Sequence, residues 1–254
     1  MDIEPLTGAR KSGFPLKKAR WLLLAWITIA MLVRFTNLAG KPPWTDEFAT
    51  LVFSLGNSYD SVPLNQVMAG SALLQPLQPN GAASLGEVTS LVVAQDNHPP
   101  VYFALTHLWL KWFPQQPYVS VWAARALAAG FGVLSVPGMY GLARLGFASE
   151  LTAQLAAALM AVSPFGVYLA QEARHYTLGV LLAIASLACL LVAGESLWRG
   201  KPLPWRFVAL WIGVNCLGLA VHYFFCLTLA AEAIALLGLS WWAASRRGEL
   251  GAEC

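Results

Sequence analysis

Three short polar clusters in this sequence hold side chains that are suited to acid–base chemistry and to anion binding. The first contains the carboxylates Asp46 and Glu47, the second contains His98 before a Pro-Pro pair, and the third contains Glu172 and Arg174. A carboxylate can act as a general base, and an arginine can hold a phosphate through two parallel N–H bonds. Each cluster borders an apolar run, where ionisable side chains are costly and commonly functional.

Each cluster also has a purely structural interpretation. The acidic pair lies where an amphipathic helix begins, with Thr45 as its cap, and the helix dipole favours acids in a first turn. Asn97 can cap the helix that begins in the Pro-Pro pair, since proline is well suited to a first helical position. Arg174 can pair with Glu172 or Asp46, or extend to lipid headgroups. Residue type alone does not separate these interpretations.

Four further side chains at the ends of apolar runs are candidates for the same site. They are Arg34, Arg125, His222 and Tyr223. The two arginines can join an anion site or only reach the headgroups, and an aromatic belt explains the His-Tyr pair as well as catalysis does. Asp46, Glu47 and His98 can form a weak divalent-metal site, although their spacing is not diagnostic. The sequence has no Gly-rich phosphate loop, paired cysteines or H-E-x-x-H motif.

The composition is that of a membrane protein. Of the 254 residues, 57% are hydrophobic and 11% are charged, whereas a soluble domain has about 25% charged residues. A span needs about 20 mostly apolar residues. Candidate spans are 21–38, 119–143, 151–170, 176–194, 207–222 and 224–244. The sequence therefore predicts an all-α integral membrane protein with about six transmembrane helices, and its basic residues flank these spans rather than forming a nucleic-acid surface.

The positions of the basic residues predict the orientation. If residues 1–20 are cytoplasmic, eleven of the 16 Lys and Arg residues fall on the cytoplasmic side, as the positive-inside rule requires. Residues 21–244 then form one transmembrane domain, and residues 245–254 form a cytoplasmic tail. All three polar clusters lie on the extracytoplasmic face of a plasma (inner) membrane in this arrangement.

The segment 39–118 is the long extracytoplasmic loop of this topology, and it is predicted to carry two short interfacial helices. One begins at Thr45 and has an apolar stripe at helical spacing. The other begins at Pro99. The stretch 57–86 is rich in Gly, Pro, Ser and Asn and is predicted to be irregular. In the third span, Pro164 is predicted to kink the helix.

In order and spacing, these clusters resemble the GT-C superfamily of membrane glycosyltransferases. Within it, the sequence looks most like the N-terminal half of the protein O-mannosyltransferase-like (glycosyltransferase family 39) and aminoarabinose-transferase-like enzymes. The motifs that carry the resemblance are Arg34, Trp44-x-Asp46-Glu47, His98-Pro99-Pro100-x-Tyr102, His107-Leu108-Trp109, Gln171-Glu172-Ala173-Arg174-x-Tyr176 and His222-Tyr223.

The resemblance implies transfer of a sugar from a polyprenyl phosphate to a hydroxyl of a protein, glycan or lipid, with inversion at the anomeric carbon. Asp46 would deprotonate the acceptor with support from Glu47. Arg174 would hold the leaving phosphate, and His98 would line the cavity. The remaining substrate-binding candidates are Glu172, Arg34, Arg125, His222 and Tyr223.

Enzymes of this family are longer than the present sequence. The resemblance therefore leaves three alternatives: an N-terminal module, a truncated product, or a chain that needs a partner to supply a C-terminal half. Two other functions stay open. A non-catalytic membrane module would bind polyprenyl lipid or a partner subunit without turnover. A small-molecule transporter is less well supported, because it requires polar residues deep in several spans, whereas the polar clusters here lie at the outer edge.

Overall fold

A computed structural model of the chain describes residues 16–63, 65–114 and 117–252. This part is all helical and has no strand. The α-helices are α1 (Leu16–Phe35), α2 (Thr45–Ser54), α3 (Leu85–Gln95), α4 (Val101–Leu110), α5 (Val121–Phe147), α6 (Glu150–Val162), α7 (Pro164–Ala170), α8 (Tyr176–Trp198), α9 (Trp205–Val221) and α10 (Phe225–Ala252). The predicted cytoplasmic ends, 1–20 and 245–254, lie partly outside the described residues.

Within the described residues, three helices are long and apolar enough to cross a membrane, namely α5, α8 and the part of α10 from Phe225 to Arg246. The pair α6–α7 passes the same test as one bent span. Helix α9 is apolar but has only 17 residues, and α1 carries basic residues at both ends. The prediction of an all-α membrane protein is confirmed, with three or four candidate spans, while the count of six stays a prediction.

The third predicted span is kinked at Pro164, as expected, with α6 and α7 bent by 54°. Proline has no N–H, so the carbonyl of Met160 loses its helical partner. Arg34 supplies new donors, with Nη2 at 2.8 Å from the Met160 oxygen and Nη1 at 2.7 Å from the Ala161 oxygen. Arg34 is 1% exposed. Its two hydrogen bonds to the Met160 and Ala161 oxygens join α1 to the break between α6 and α7.

Helix α5 lies at the centre of the bundle, where it contacts α1, α4, α6, α7 and α8. Small side chains allow helices in a membrane to approach closely. The buried small residues of α5 include Ala123, Ala124, Ala128, Ala129 and Gly132. A Cβ added at Gly132 would lie 2.8 Å from the Ala170 Cβ and 3.0 Å from the Arg34 Nε, so this position requires glycine.

The described part of the segment between α1 and α5 contains three α-helices rather than the two that were predicted. Helix α3 was missed, although Ser84 and Glu87 form a capping box at its start, and Ser-x-x-Glu is a sequence signature of a helix N-terminus. The stretch 57–86, predicted to be irregular, also holds the two 3-10 helices Tyr59–Ser61 and Gly70–Leu77.

Two predicted helix caps are wrong. Helix α2 begins at Thr45 as expected, but its N-cap residue is Trp44 and no side chain caps it. Helix α4 begins at Val101, and its N-cap residue is Pro100 rather than Asn97. Helix α4 nonetheless packs on α5, and a buried apolar cluster to which α2, α4 and α5 all contribute holds α2 beside them. This docking places the start of α2 and the residues before α4 beside the turn that joins α7 to α8.

Candidate functional site

The three polar clusters meet around the guanidinium of Arg174, which is 1% exposed. Its Nη1 donates to the Asp46 carbonyl oxygen at 3.1 Å and to the Thr50 hydroxyl at 3.0 Å. Its Nη2 lies 3.1 Å from Nε2 of His98 and 3.5 Å from Oδ2 of Asp46. Nε is buried without a partner. Three predicted site residues, Asp46, His98 and Arg174, thus form one cluster.

The orientation of His98 is fixed by Asp96, which the sequence interpretation missed. Asp96 Oδ1 accepts from the His98 backbone N at 2.8 Å and lies 2.6 Å from His98 Nδ1. Because an arginine N–H can only donate, Nε2 of His98 is the acceptor and Nδ1 carries the proton. Asp-x-His is a turn in which aspartate accepts from the residue two positions on, so a local signal was present.

Asp46 is the accessible acid of this cluster. Its side chain is 42% exposed, although it lies in the first turn of a helix that is otherwise largely buried. The 3.5 Å distance to Arg174 is longer than the 2.7–2.9 Å of a direct charge-assisted hydrogen bond. The carboxylate is therefore near a buried cation but not tightly bound by it, and it can reach a molecule outside the protein.

Glu47 has a different environment from its neighbour. It is 1% exposed, accepts from Arg125 Nε at 2.8 Å and Nη2 at 2.7 Å, and also accepts from the Ala173 backbone N at 2.7 Å. Arg125 donates further to the carbonyl oxygens of Leu38, Lys41 and Pro42. All five N–H groups of Arg125 are engaged, so this pair joins α2, α5 and the 171–175 turn, and Arg125 has no N–H free for a phosphate.

Three other predicted candidates lie outside the Arg174 hydrogen-bond cluster. Arg34 binds the α6 carbonyls described above. Glu172 is buried with Oε2 unpartnered, and within the described residues no ion pair joins it to Arg174. Tyr223 is 59% exposed. His222, by contrast, belongs to a group of histidines beside Arg174.

The rings of His98, His175 and His222 contact one another in tilted and edge-on arrangements. The ring centroid of His175 lies 5.4 Å from that of His98 and 4.5 Å from that of His222. Burial, and then the charge of Arg174, lower the pKa of His175 to about 3. Burial and the neighbouring His98 and Arg174 also lower the pKa of His222. Among the residues that the structure describes, no three His, Cys, Asp or Glu side chains are arranged to hold a metal ion.

The low pKa of His175 predicts a loss of stability in mild acid. The unfolded chain takes up a proton at the ordinary pKa of 6.5, whereas the folded chain does so only near 3. The contribution of the neutral His175 side chain to the free energy of unfolding is therefore complete above pH 6.5 and falls as the pH drops towards 3. Between pH 6.5 and 5 the loss is about 2 kcal/mol. We expect the Tm of the detergent-solubilised protein to fall over this range and to fall less in His175→Gln; equal slopes would contradict the prediction.

No protein-family model, no curated protein and no solved structure matches this chain. The fold and the site define an all-α membrane protein with a buried Arg174 cluster at the ends of its helices. Its accessible Asp46 carboxylate lies 3.5 Å from the buried Arg174 guanidinium.

Proposed function

We propose that this protein is a membrane glycosyltransferase of the GT-C type that uses a polyprenyl-phosphate-linked sugar. The observation that carries the proposal is the placement of the exposed Asp46 carboxylate 3.5 Å from the buried Arg174 guanidinium. Sugar transfer from a phosphate to a hydroxyl requires these two groups together, because a proton leaves the acceptor while negative charge grows on the phosphate.

In the proposed reaction, the acceptor oxygen attacks the anomeric carbon as the bond from that carbon to the phosphate oxygen breaks. The hydroxyl proton passes to Asp46, and the bonding electrons leave with the lipid phosphate. Attack from the side opposite the leaving group inverts the anomeric carbon. The acceptor is a hydroxyl of a protein, glycan or lipid.

Arg174 is better suited than Arg125 to bind the phosphate. The charge of Arg125 is neutralised by two short bonds to Glu47. The hydrogen-bond acceptors of Arg174 are uncharged, and its nearest carboxylate oxygen is 3.5 Å away. After burial, the charge of Arg174 also contributes to the low pKa of His175 and of His222. A field that disfavours protons on nearby histidines favours a phosphate anion at the same place.

In the proposed topology, six spans are formed by α1, α5, α6–α7, α8, α9 and α10. The N-terminus is cytoplasmic and the Arg174 cluster faces the extracytoplasmic side of the plasma membrane. Two helix ends with basic residues support this orientation, since Lys17 and Lys18 lie in the first turn of α1 and Arg144 lies in the last turn of α5, and cytoplasmic ends carry an excess of basic residues. The 171–175 turn and His222 then lie on the same side as α2.

We expect purified protein to retain polyprenyl phosphate, and Arg174→Ala to lose it, because the substitution removes the cation that would face the phosphate. Native mass spectrometry of the detergent-solubilised chain, with added undecaprenyl phosphate, measures the bound fraction. The matched control is Arg206→Ala, which removes an exposed arginine at the other end of the bundle and should retain the lipid.

Equal lipid retention by Arg174→Ala and Arg206→Ala would remove Arg174 from the phosphate role. Lipid that depends on Arg174 without any sugar transfer would favour the alternative function, a membrane module that binds polyprenyl lipid or a partner subunit.

A further inference from the structure

A second polar cluster lies deep among the last three helices, away from the Arg174 cluster. Ser186 of α8, Asn215 of α9 and Glu232 of α10 are 0%, 8% and 4% exposed. Glu232 is roughly 10 Å along α10 from Phe225, at 1.5 Å per residue. The expectation that polar residues gather only at the outer edge is therefore wrong, since three helices contribute polar side chains to this internal site.

The Ser186 hydroxyl is the centre of the second cluster. Its Oγ lies 2.6 Å from Glu232 Oε1, 2.9 Å from Asn215 Oδ1 and 3.2 Å from Trp211 Nε1. The indole N–H can only donate, so one lone pair of the Ser186 oxygen accepts from Trp211. The other two contacts are with oxygen atoms, and a serine hydroxyl has a single hydrogen to give.

The orientation of the Asn215 amide determines which oxygen receives that hydrogen. Asn215 Nδ2 donates to the Trp211 carbonyl oxygen at 3.1 Å, so Oδ1 is the amide atom that faces Ser186. A reversed amide would place two acceptors against each other at that distance. The Ser186 hydrogen therefore goes to Asn215 Oδ1, and the 2.6 Å contact with Glu232 needs a hydrogen from Glu232 itself.

The surroundings of Glu232 also disfavour a carboxylate anion. None of the ion pairs in the described part of the chain includes Glu232. One titratable neighbour of Glu232 is the Cys189 thiol of α8, which cannot supply a positive charge. An isolated charge in a membrane interior is costly, and such carboxyl groups are typically paired or neutral.

We propose that Glu232 is an intramembrane proton-binding site. The bound proton makes the side chain a carboxylic acid that donates to Ser186, Ser186 donates to Asn215, and Trp211 donates to Ser186. Every hydrogen-bonding position of the Ser186 hydroxyl is then used. The site joins α8, α9 and α10, so loss of the proton would leave an unpaired negative charge between these helices. The inference is independent of the proposed sugar transfer.

Infrared difference spectroscopy of the full chain in lipid nanodiscs at neutral pH tests this site. We expect the difference spectrum, native protein minus Glu232→Gln, to show the C=O stretch of a protonated carboxylic acid. This band should shift in D₂O. Glu150→Gln is the matched control, because Glu150 is also buried but lies 3.6 Å from Arg144 and accepts from Tyr140. Its difference spectrum should show carboxylate bands. Carboxylate bands from Glu232 would overturn the proposal.

Ser186→Ala provides a second test if Glu232→Gln does not fold. It removes the acceptor of the Glu232 hydrogen and leaves the carboxyl group in place. The acid C=O band should then shift, which gives paired positive and negative features in the acid region of the difference spectrum. A flat acid region would contradict a proton on Glu232.

Discussion

Asp46→Asn is expected to insert and fold like the native chain but to transfer sugar roughly 10²- to 10⁴-fold more slowly, the usual contribution of a general base. Asparagine has nearly the same shape as aspartate but cannot accept the acceptor's proton. The fold should persist because the side chain is 42% exposed, and because Arg174 also bonds to the backbone oxygen of Asp46, which the substitution retains.

The measurement is the initial rate of transfer from a polyprenyl-phosphate sugar to a hydroxyl acceptor at saturating donor. Asp60→Asn is the matched control, since Asp60 is another exposed acid in the same extended segment, where it accepts from Gln95. It should transfer sugar at the native rate. A native rate in Asp46→Asn would remove this residue from the role of base, whereas a raised KM with unchanged kcat would make it a binding group.

The residues of the Arg174 cluster were predictable because each is a polar side chain at the border of an apolar run. Asp46, His98 and Arg174 are far apart in the sequence, yet helix ends on one side of a bundle meet there. The division of roles between Asp46 and Glu47 was not predictable. Adjacent helical side chains point about 100° apart, so one faces the bundle and the other faces outward, and the docking of α2 decides which.

Other features could not be predicted from the sequence, because they depend on the register of several helices. Ser186, Asn215 and Glu232 lie in three apolar helices, and their contact depends on how far each helix slides along its neighbours. Glu232 itself was visible in the sequence as an acid within an apolar run, which is a signal of function. Asp96 was visible as Asp-x-His. His175 directly follows Arg174 in the sequence, but its burial against His222 follows only from the packing of α8 and α9.

Breaking the Glu47–Arg125 pair is expected to cost about 3–5 kcal/mol of unfolding free energy, because either single substitution leaves a buried charge without its partner. Glu47→Gln strands the Arg125 guanidinium, and Arg125→Met strands the Glu47 carboxylate. The double variant removes both charges and should lose less than the sum of the two single losses. Unfolding of the detergent-solubilised protein, followed by helical circular dichroism, measures all three.

The exposed pair Glu195–Arg199 is the control, since its side chains are 43% and 41% exposed, and Glu195→Gln should change stability by less than about 1 kcal/mol. The comparison also separates two roles for Glu47. If the loss of transfer in Glu47→Gln comes only from the stranded charge of Arg125, transfer should recover together with stability when Arg125→Met is added. If Glu47 supports the base directly, the double variant should regain stability without regaining transfer.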